Sequence, residues 1–138
     1  MAGKMQFYSQ MAAEAAEHIT DSYASWTRFL KSAGNLCKYS YEDQLMIYTQ
    51  RPDATAVAEY DLWNQRMHRY VKRGAKGIAL IDTGGDYPRL RYVFDISDTG
   101  ERRNSRPVPH WVMRSEHEQP VIEALSKRFD VPANQGYV

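Results

Sequence analysis

The chain has 138 residues, 43% of them hydrophobic and 25% charged, which is ordinary globular usage and excludes a disordered or fibrous architecture. Its formal charge of +1 says little about partners until it is divided along the chain. The single Cys37 excludes a disulfide scaffold, and with neither a run of about 18 apolar residues nor an apolar N-terminal segment, a cytoplasmic protein without membrane span or signal peptide is expected.

From Met11 to Ala33, apolar residues at Ala12, Ala15, Ala16, Ile19, Tyr23, Trp26, Leu30 and Ala33 recur at steps of three and four. They predict one amphipathic helix, ended by Gly34 and Asn35 at a left-handed cap. Ser40 and Asp43 resemble a capping box that opens a short helix over Tyr41, Leu45, Ile47 and Tyr48, and Arg51-Pro52 stops it. Val57, Tyr60, Leu62 and Trp63 predict a third helix from about Ala54 to Gln65.

The period then changes. Gly77 to Ile81 reads as a buried strand, and Leu90, Tyr92, Phe94 and Ile96 alternate with Arg91, Val93 and Asp95 as a half-exposed one. The turn Gly84 to Pro88 joins them into a hairpin. Tyr70-Val71-Lys72, with Gly74 and Gly77, reads as a kinked or bulged approach to that hairpin. Asp98 to Pro109 is polar and carries Arg102, Arg103 and Arg106, so it reads as an exposed loop before a short strand at Val108 to Met113. Ser115 and Glu118 form a second capping box, opening a final helix through Val121, Ile122, Leu125 and Phe129 with Pro120 near its first turn. The expected class is α+β, with N-terminal helices packed on a small antiparallel sheet and a C-terminal helix. One domain is expected over residues 1–130, and 131–138 has the character of a linker or tail.

Chemistry is sparse. His18, His68, His110 and His117 are too scattered for a zinc motif, and Cys37 has no Cys or His near it at metal-ligand spacing; with no cation cluster adjoining it in sequence, Cys37 reads as a small core residue rather than a reactive thiol. The stretch Arg73-Gly74-Ala75-Lys76-Gly77 lacks the spacing and the Lys-Ser/Thr ending of a phosphate-binding Walker loop. No enzyme, catalytic residue, cofactor or metal is expected.

Charge is the more informative signal. Residues 1–61 hold five cations against eight acids, whereas 62–81 hold Arg66, Arg69, Lys72, Arg73 and Lys76 and no acid. Aromatics are interleaved with these cations: Tyr60, Trp63 and Tyr70, with Tyr39, Tyr41 and Tyr48 upstream. Single-stranded nucleic acid is held by this combination, because cations track phosphates and each base stacked on a ring contributes about 1 to 3 kcal/mol. The bland alternative stays open beside it: Tyr60 and Trp63 as core residues, and the cations as a solvated face protecting an edge strand.

The segment Ser40-Tyr41-Glu42-Asp43-Gln44-Leu45-Met46-Ile47-Tyr48-Thr49-Gln50-Arg51-Pro52-Asp53-Ala54, followed by Trp63, Tyr70-Val71-Lys72-Arg73-Gly74 and Gly77-Ile78-Ala79-Leu80, resembles the N-terminal domain of the ArdC antirestriction family. It is also similar to the leading domain of large proteins encoded on conjugative elements. The similarity runs from about Ile19 to Phe129. Two positions depart from the family pattern: Asp43 stands where Asn is common, and His68-Arg69 where a small or glycine-containing pair is common. The resemblance implies a single-stranded DNA-binding module of a mobile genetic element with an antirestriction role. The zinc-protease half of that family is absent, so no peptidase activity is implied; the chain is expected to be either a piece of a longer protein with further fused domains or a free-standing relative, and its linker-like ending favours the first.

On this reading Arg66, Arg69, Lys72, Arg73 and Lys76 contact phosphate, and Tyr41, Tyr48, Trp63 and Tyr70 stack on bases. Gln44 and Gln50 join them as motif residues that widen the site, so that the basic turn forms one wall of a groove. The rival reading is a protein-binding inhibitor of a host defence nuclease, a restriction enzyme or a CRISPR effector. At +1 the chain lacks the acidity of a DNA mimic, so such an inhibitor would rely on shape and apolar contacts. A purely structural module inside a larger polypeptide is the third possibility.

Overall fold

The computed structural model describes residues 2–109 and 112–130. Its architecture is α+β: three N-terminal helices, a small antiparallel sheet, a separate two-stranded ribbon and a C-terminal helix.

The single helix expected over Met11 to Ala33 is two, α1 (Ala2–His18) and α2 (Tyr23–Gly34). The break is made by Ser22, whose backbone is extended and whose hydroxyl accepts the Ser25 amide at 3.1 Å, so a new helix starts there. The residues between the helices reset the helical phase. Phe29 and Ser32 become the buried side of α2, while Tyr23, Trp26 and Leu30 of the expected stripe are exposed. Asn35 closes α2 in a right-handed conformation, φ −82° and ψ −10°, so the left-handed cap is not formed.

Helix α3 (Tyr41–Gln50) begins and ends as its sequence dictates. The Ser40 hydroxyl accepts the Asp43 amide at 3.2 Å, and the Arg51 amide closes the last turn on the Ile47 carbonyl at 2.7 Å. Leu45, Met46 and Ile47 are buried in succession, because α3 lies between the other two helices and the sheet. Met46 and Ile47 join Leu36, Val57, Leu80 and Val93 in one core cluster, and Leu45 joins Ala15, Ile19 and Phe29 in another. Each fully buried large aliphatic side chain contributes about 1.5 to 3 kcal/mol.

No helix runs from Ala54 to Gln65. Val57–Ala58 is strand β1, and Leu62–Arg66 is a short π-helical turn that buries Trp63. The Trp63 indole N–H donates to the Phe94 carbonyl at 2.9 Å and ties the turn to the sheet. Arg69–Val71 follows as strand β2, and the expected hairpin is formed by β3 (Ile78–Asp82) and β4 (Arg89–Asp95). Register runs from Ile78↔Val93 to Asp82↔Arg89, and β1 pairs on the other side of β4 to give the order β1-β4-β3.

The face of β4 is the reverse of the one that hydropathy suggests: Val93 and Asp95 are buried, and Tyr92 is exposed. Asp95 tolerates burial because its carboxylate accepts the amides of Thr55 (2.9 Å), Ala56 (3.3 Å) and Ser97 (3.0 Å) and the Ser97 hydroxyl (2.5 Å). Burial opposes its charge, but these bonds outweigh it and hold the pKa below the usual carboxylate value.

Strand β2 does not lead into the hairpin sheet. It pairs with β5 (Thr99–Glu101), in register Arg69↔Glu101, Tyr70↔Gly100 and Val71↔Thr99. The start of the expected Asp98 to Pro109 loop is therefore a paired strand, with Thr99 buried and its hydroxyl on the Ile96 carbonyl at 2.7 Å.

Helix α4 (Ser115–Phe129) takes Ser115 as its first residue rather than its cap, and the Arg114 amide donates to His117 Nδ1 at 3.0 Å. It runs through Pro120 and buries no residue. Of the expected strand at Val108 to Met113, His110 and Trp111 lie outside the described residues, and Val108, Pro109, Val112 and Met113 belong to no regular element. The expected tail, 131–138, also lies outside them. Among the described residues no helix is long and apolar enough to cross a membrane.

Candidate nucleic-acid interface

Several of the residues singled out in the sequence are placed inside the scaffold. Gln44 Nε2 donates to the Leu36 carbonyl at 3.0 Å and fastens α3 to the segment that follows α2. Gln50 reaches the outer edge of β3: its Oε1 accepts the Ala79 amide at 2.9 Å, and its Nε2 donates to the Ala79 carbonyl at 2.8 Å. One side-chain amide thus supplies the pairing that a further strand would. Trp63 is 2% exposed, which leaves no ring face open to a base. Tyr48 and Tyr41 pack edge-on against Phe29, at centroid distances of 5.5 and 5.9 Å, so both belong to the α2–α3 seam rather than to the ribbon. Tyr41 is still exposed.

Arg69 is likewise engaged. Its Nε donates to Thr99 Oγ1 at 2.8 Å, its Nη1 lies 3.7 Å from Glu101, and its side chain is 11% exposed. Successive side chains of a strand point to opposite faces, so Arg69 and Val71 turn inward and Tyr70 outward. The Tyr70 ring lies across Gly100, where a Cβ would collide with it. Only glycine leaves room for that ring, and Tyr70 remains 44% exposed on top of it.

The other four cations of the basic stretch are on the surface. Lys72 Nζ donates to the Ser97 carbonyl at 3.2 Å, and the Lys72 amide donates to the Asp98 carbonyl at 2.8 Å. The chain then turns through Gly74, at φ +83°, so that Arg73 and Lys76 are exposed. Arg66 is exposed at the end of the π-helical turn, just before His68 at φ +53°. The side chains of Arg66, Arg73 and Lys76 form no hydrogen bond or ion pair with another described residue. His68 occupies a left-handed conformation that glycine adopts at lower cost.

Arg102, Arg103 and Arg106, which sequence alone assigns only to a loop, are placed beside this surface. The Ser105 hydroxyl donates to the His68 carbonyl at 2.6 Å and accepts the Arg102 amide at 2.6 Å, and the Arg106 amide donates to the Met67 carbonyl at 3.0 Å. The available signal is three arginines in five residues; the tie to Met67 and His68 has no sequence signature. Arg51, by contrast, is structural, bonded to Asp98 at 2.7 Å and the Ser97 hydroxyl at 2.8 Å. Asp43 is paired with Arg91 at 3.1 Å, and Arg91 also reaches Glu59 at 2.8 Å.

Cys37 is exposed rather than part of the core, and lines an apolar cleft of about 320 Å³ with Tyr39, Leu62, Trp63 and Met67. Burial pushes the Tyr39 phenol up to about 12, and its hydroxyl donates to the Val57 carbonyl at 2.9 Å. Among the described residues no three His, Cys, Asp or Glu side chains gather as a metal site. Comparison with protein-family models, with curated proteins and with solved structures returns no match to this chain.

Proposed function

We propose that the chain is a DNA-binding module of a mobile genetic element, prefers single strands, and serves an antirestriction role. The observation that carries this reading is the turn 72–76, where Lys72, Arg73 and Lys76 stand exposed around Gly74 beside the exposed Tyr70, with no carboxylate in the turn. Exposed cations bind phosphate by releasing condensed counterions, and a partly open ring stacks an unpaired base. The preference for single strands rests on Tyr70, because the bases of a duplex are already stacked. The mobile-element and antirestriction parts rest on the resemblance carried by residues 40–54 and 70–80.

Fluorescence anisotropy with single- and double-stranded oligonucleotides across a salt series tests this reading. Tighter binding to single strands, weakening with salt, is expected, as is a loss of more than about tenfold for the triple variant Lys72→Glu, Arg73→Glu, Lys76→Glu. Affinity indifferent to salt and to the reversal would refute it.

One observation favours the rival reading of a protein that binds a host defence nuclease. Helix α4 presents Ile122, Leu125 and Phe129 to solvent, 43%, 51% and 65% exposed, and apolar contact is what such an inhibitor would use. Co-purification with a restriction enzyme or CRISPR effector in the absence of DNA, abolished by Leu125→Glu and kept by the triple cation reversal, would support that reading instead.

A further inference from the structure

We infer that Arg102, Arg103 and Arg106, together with Arg66, form a second phosphate-holding cluster, so that a single nucleic-acid strand crosses the β2–β5 ribbon with a base over Tyr70. The inference rests on the DNA-binding reading and extends it to a segment that lies outside the basic stretch.

The ribbon fixes the layout. At one end β2 leads into the exposed turn of Lys72, Arg73 and Lys76. At the other end, the π-helical turn delivers Arg66 to the start of β2, and β5 runs on into Arg102 and Arg103. The two segments of that end are pinned together by the Ser105 hydroxyl on the His68 carbonyl and the Arg106 amide on the Met67 carbonyl. The turn itself is closed by the Ser105 amide on the Arg102 carbonyl at 3.1 Å. Arg66, Arg102, Arg103 and Arg106 are all exposed, and their guanidinium groups bond to no described residue.

A three-residue strand spans roughly 10 Å, so the ends of the ribbon that lead into the two clusters lie about that far apart, within reach of one extended strand. At physiological salt, with a Debye length of about 8 Å, each cluster then acts on the phosphates nearest to it. Neither 66–76 nor 102–106 contains an acid. Of the nearby carboxylates, Asp98 is engaged by Arg51 and Glu101 faces Arg69. The Tyr70 ring, seated on Gly100 at the middle register pair, stands between the clusters. Cation, ring, cation is the order in which an extended strand presents phosphate, base, phosphate.

The test is anisotropy of a labelled oligothymidine across a salt series, with the unaltered chain and with the triple variant Arg102→Glu, Arg103→Glu, Arg106→Glu. These side chains are exposed and unengaged, so the variant is expected to melt like the parent. Its affinity is expected to fall more than about tenfold, and the slope of log K against log salt to shrink by about 2, at about 0.7 for each phosphate of a single strand that is no longer neutralised. Ser105→Ala is the second variant: it keeps every charge but releases the turn from His68, and a several-fold loss is expected from placement alone. Binding by the unaltered chain that both variants leave unchanged, in affinity and in slope, overturns the second cluster alone. No binding by the unaltered chain overturns the DNA reading and this extension with it.

Discussion

Replacing Gln50 by leucine separates a scaffold role from a ligand role, because the structure gives the side chain a specific job at the margin of the sheet. Strand β3 has β4 on one side only, and the buried Ala79 turns its amide and carbonyl away from β4 toward Gln50. Leucine fills a similar volume but leaves both groups without a partner. An unsatisfied buried polar group costs about 1 to 3 kcal/mol. With two such groups, and the carbonyl less demanding because Nε2 is shared with the Met46 carbonyl at 3.0 Å, a loss of about 2 to 4 kcal/mol is expected. That is a large part of the roughly 5 to 15 kcal/mol that holds a typical domain together. Gln50→Glu keeps the acceptor but loses both donors, and is expected to recover part of the loss as pH falls and the carboxyl regains a proton. Urea denaturation with a constant m-value reads the change, and anisotropy below the unfolding transition reads DNA affinity. A Gln50→Leu protein within about 0.5 kcal/mol of the parent would refute the latch. A variant as stable as the parent but defective in DNA binding would return Gln50 to the interface.

Three further outcomes are expected. Tyr70→Ala weakens single-strand binding about five- to hundredfold while Tyr70→Phe stays near the parent, and Gly100→Ala behaves like Tyr70→Ala because a Cβ at that position displaces the ring; equal affinity of Tyr70→Ala and the parent would refute stacking. Asp95, with its folded pKa below the unfolded value of about 3.9, contributes stability that is complete above that value and is lost as pH falls through the folded one. The melting temperature of Asp95→Asn is therefore expected to lie below the parent at neutral pH and to converge with it below about pH 4; a gap that does not change with pH would count against this. Ser32→Ala removes a buried hydroxyl that has no partner among the described residues and adds helix propensity, so thermal unfolding is expected to shift upward, and a downward shift would reveal a hidden partner.

Local signals are legible in this sequence and long-range ones are not. Ser40 and Asp43 announce α3, and Gly84 to Pro88 announces the hairpin, because a cap and a turn are decided by neighbours in sequence. The division of α1 from α2 is hidden, since the apolar spacing runs through Ser22 without interruption and only the cap shows where the phase restarts. Strand β1 has two residues and β2 and β5 three each, too short for a period of two to register. The inward face of β4 defies hydropathy because Asp95 is buried against amides some 40 residues away in the chain. At the candidate site the cations are legible as composition, but their sorting is not: Arg69 is indistinguishable from Arg73 until Thr99 and Glu101 are placed beside it.

The residues that carry the resemblance divide into two kinds, and the division bears on what such a motif can tell. Gln44, Gln50 and Trp63 each end on a backbone group, at Leu36, Ala79 and Phe94, and each joins two segments that are apart in sequence. A chain that folds this way needs those side chains whatever it binds, so their presence speaks for the fold and is silent on the ligand. Tyr70, Lys72 and Arg73 are different: they are exposed, and the chain places them with Gly100 beneath the ring, where a Cβ would displace it, and Gly74 in the turn, where a side chain would be strained. A surface kept in that shape by its glycines argues for a site over a solvated face. Binding should therefore follow the downstream half of the motif. A variant that exchanges Tyr70, Lys72 and Arg73 for alanine is expected to keep the fold, with a small drop in melting temperature from the lost ring packing on Gly100 and the lost Lys72–Ser97 bond, and to lose DNA; retention of DNA by that variant would make the whole motif a scaffold.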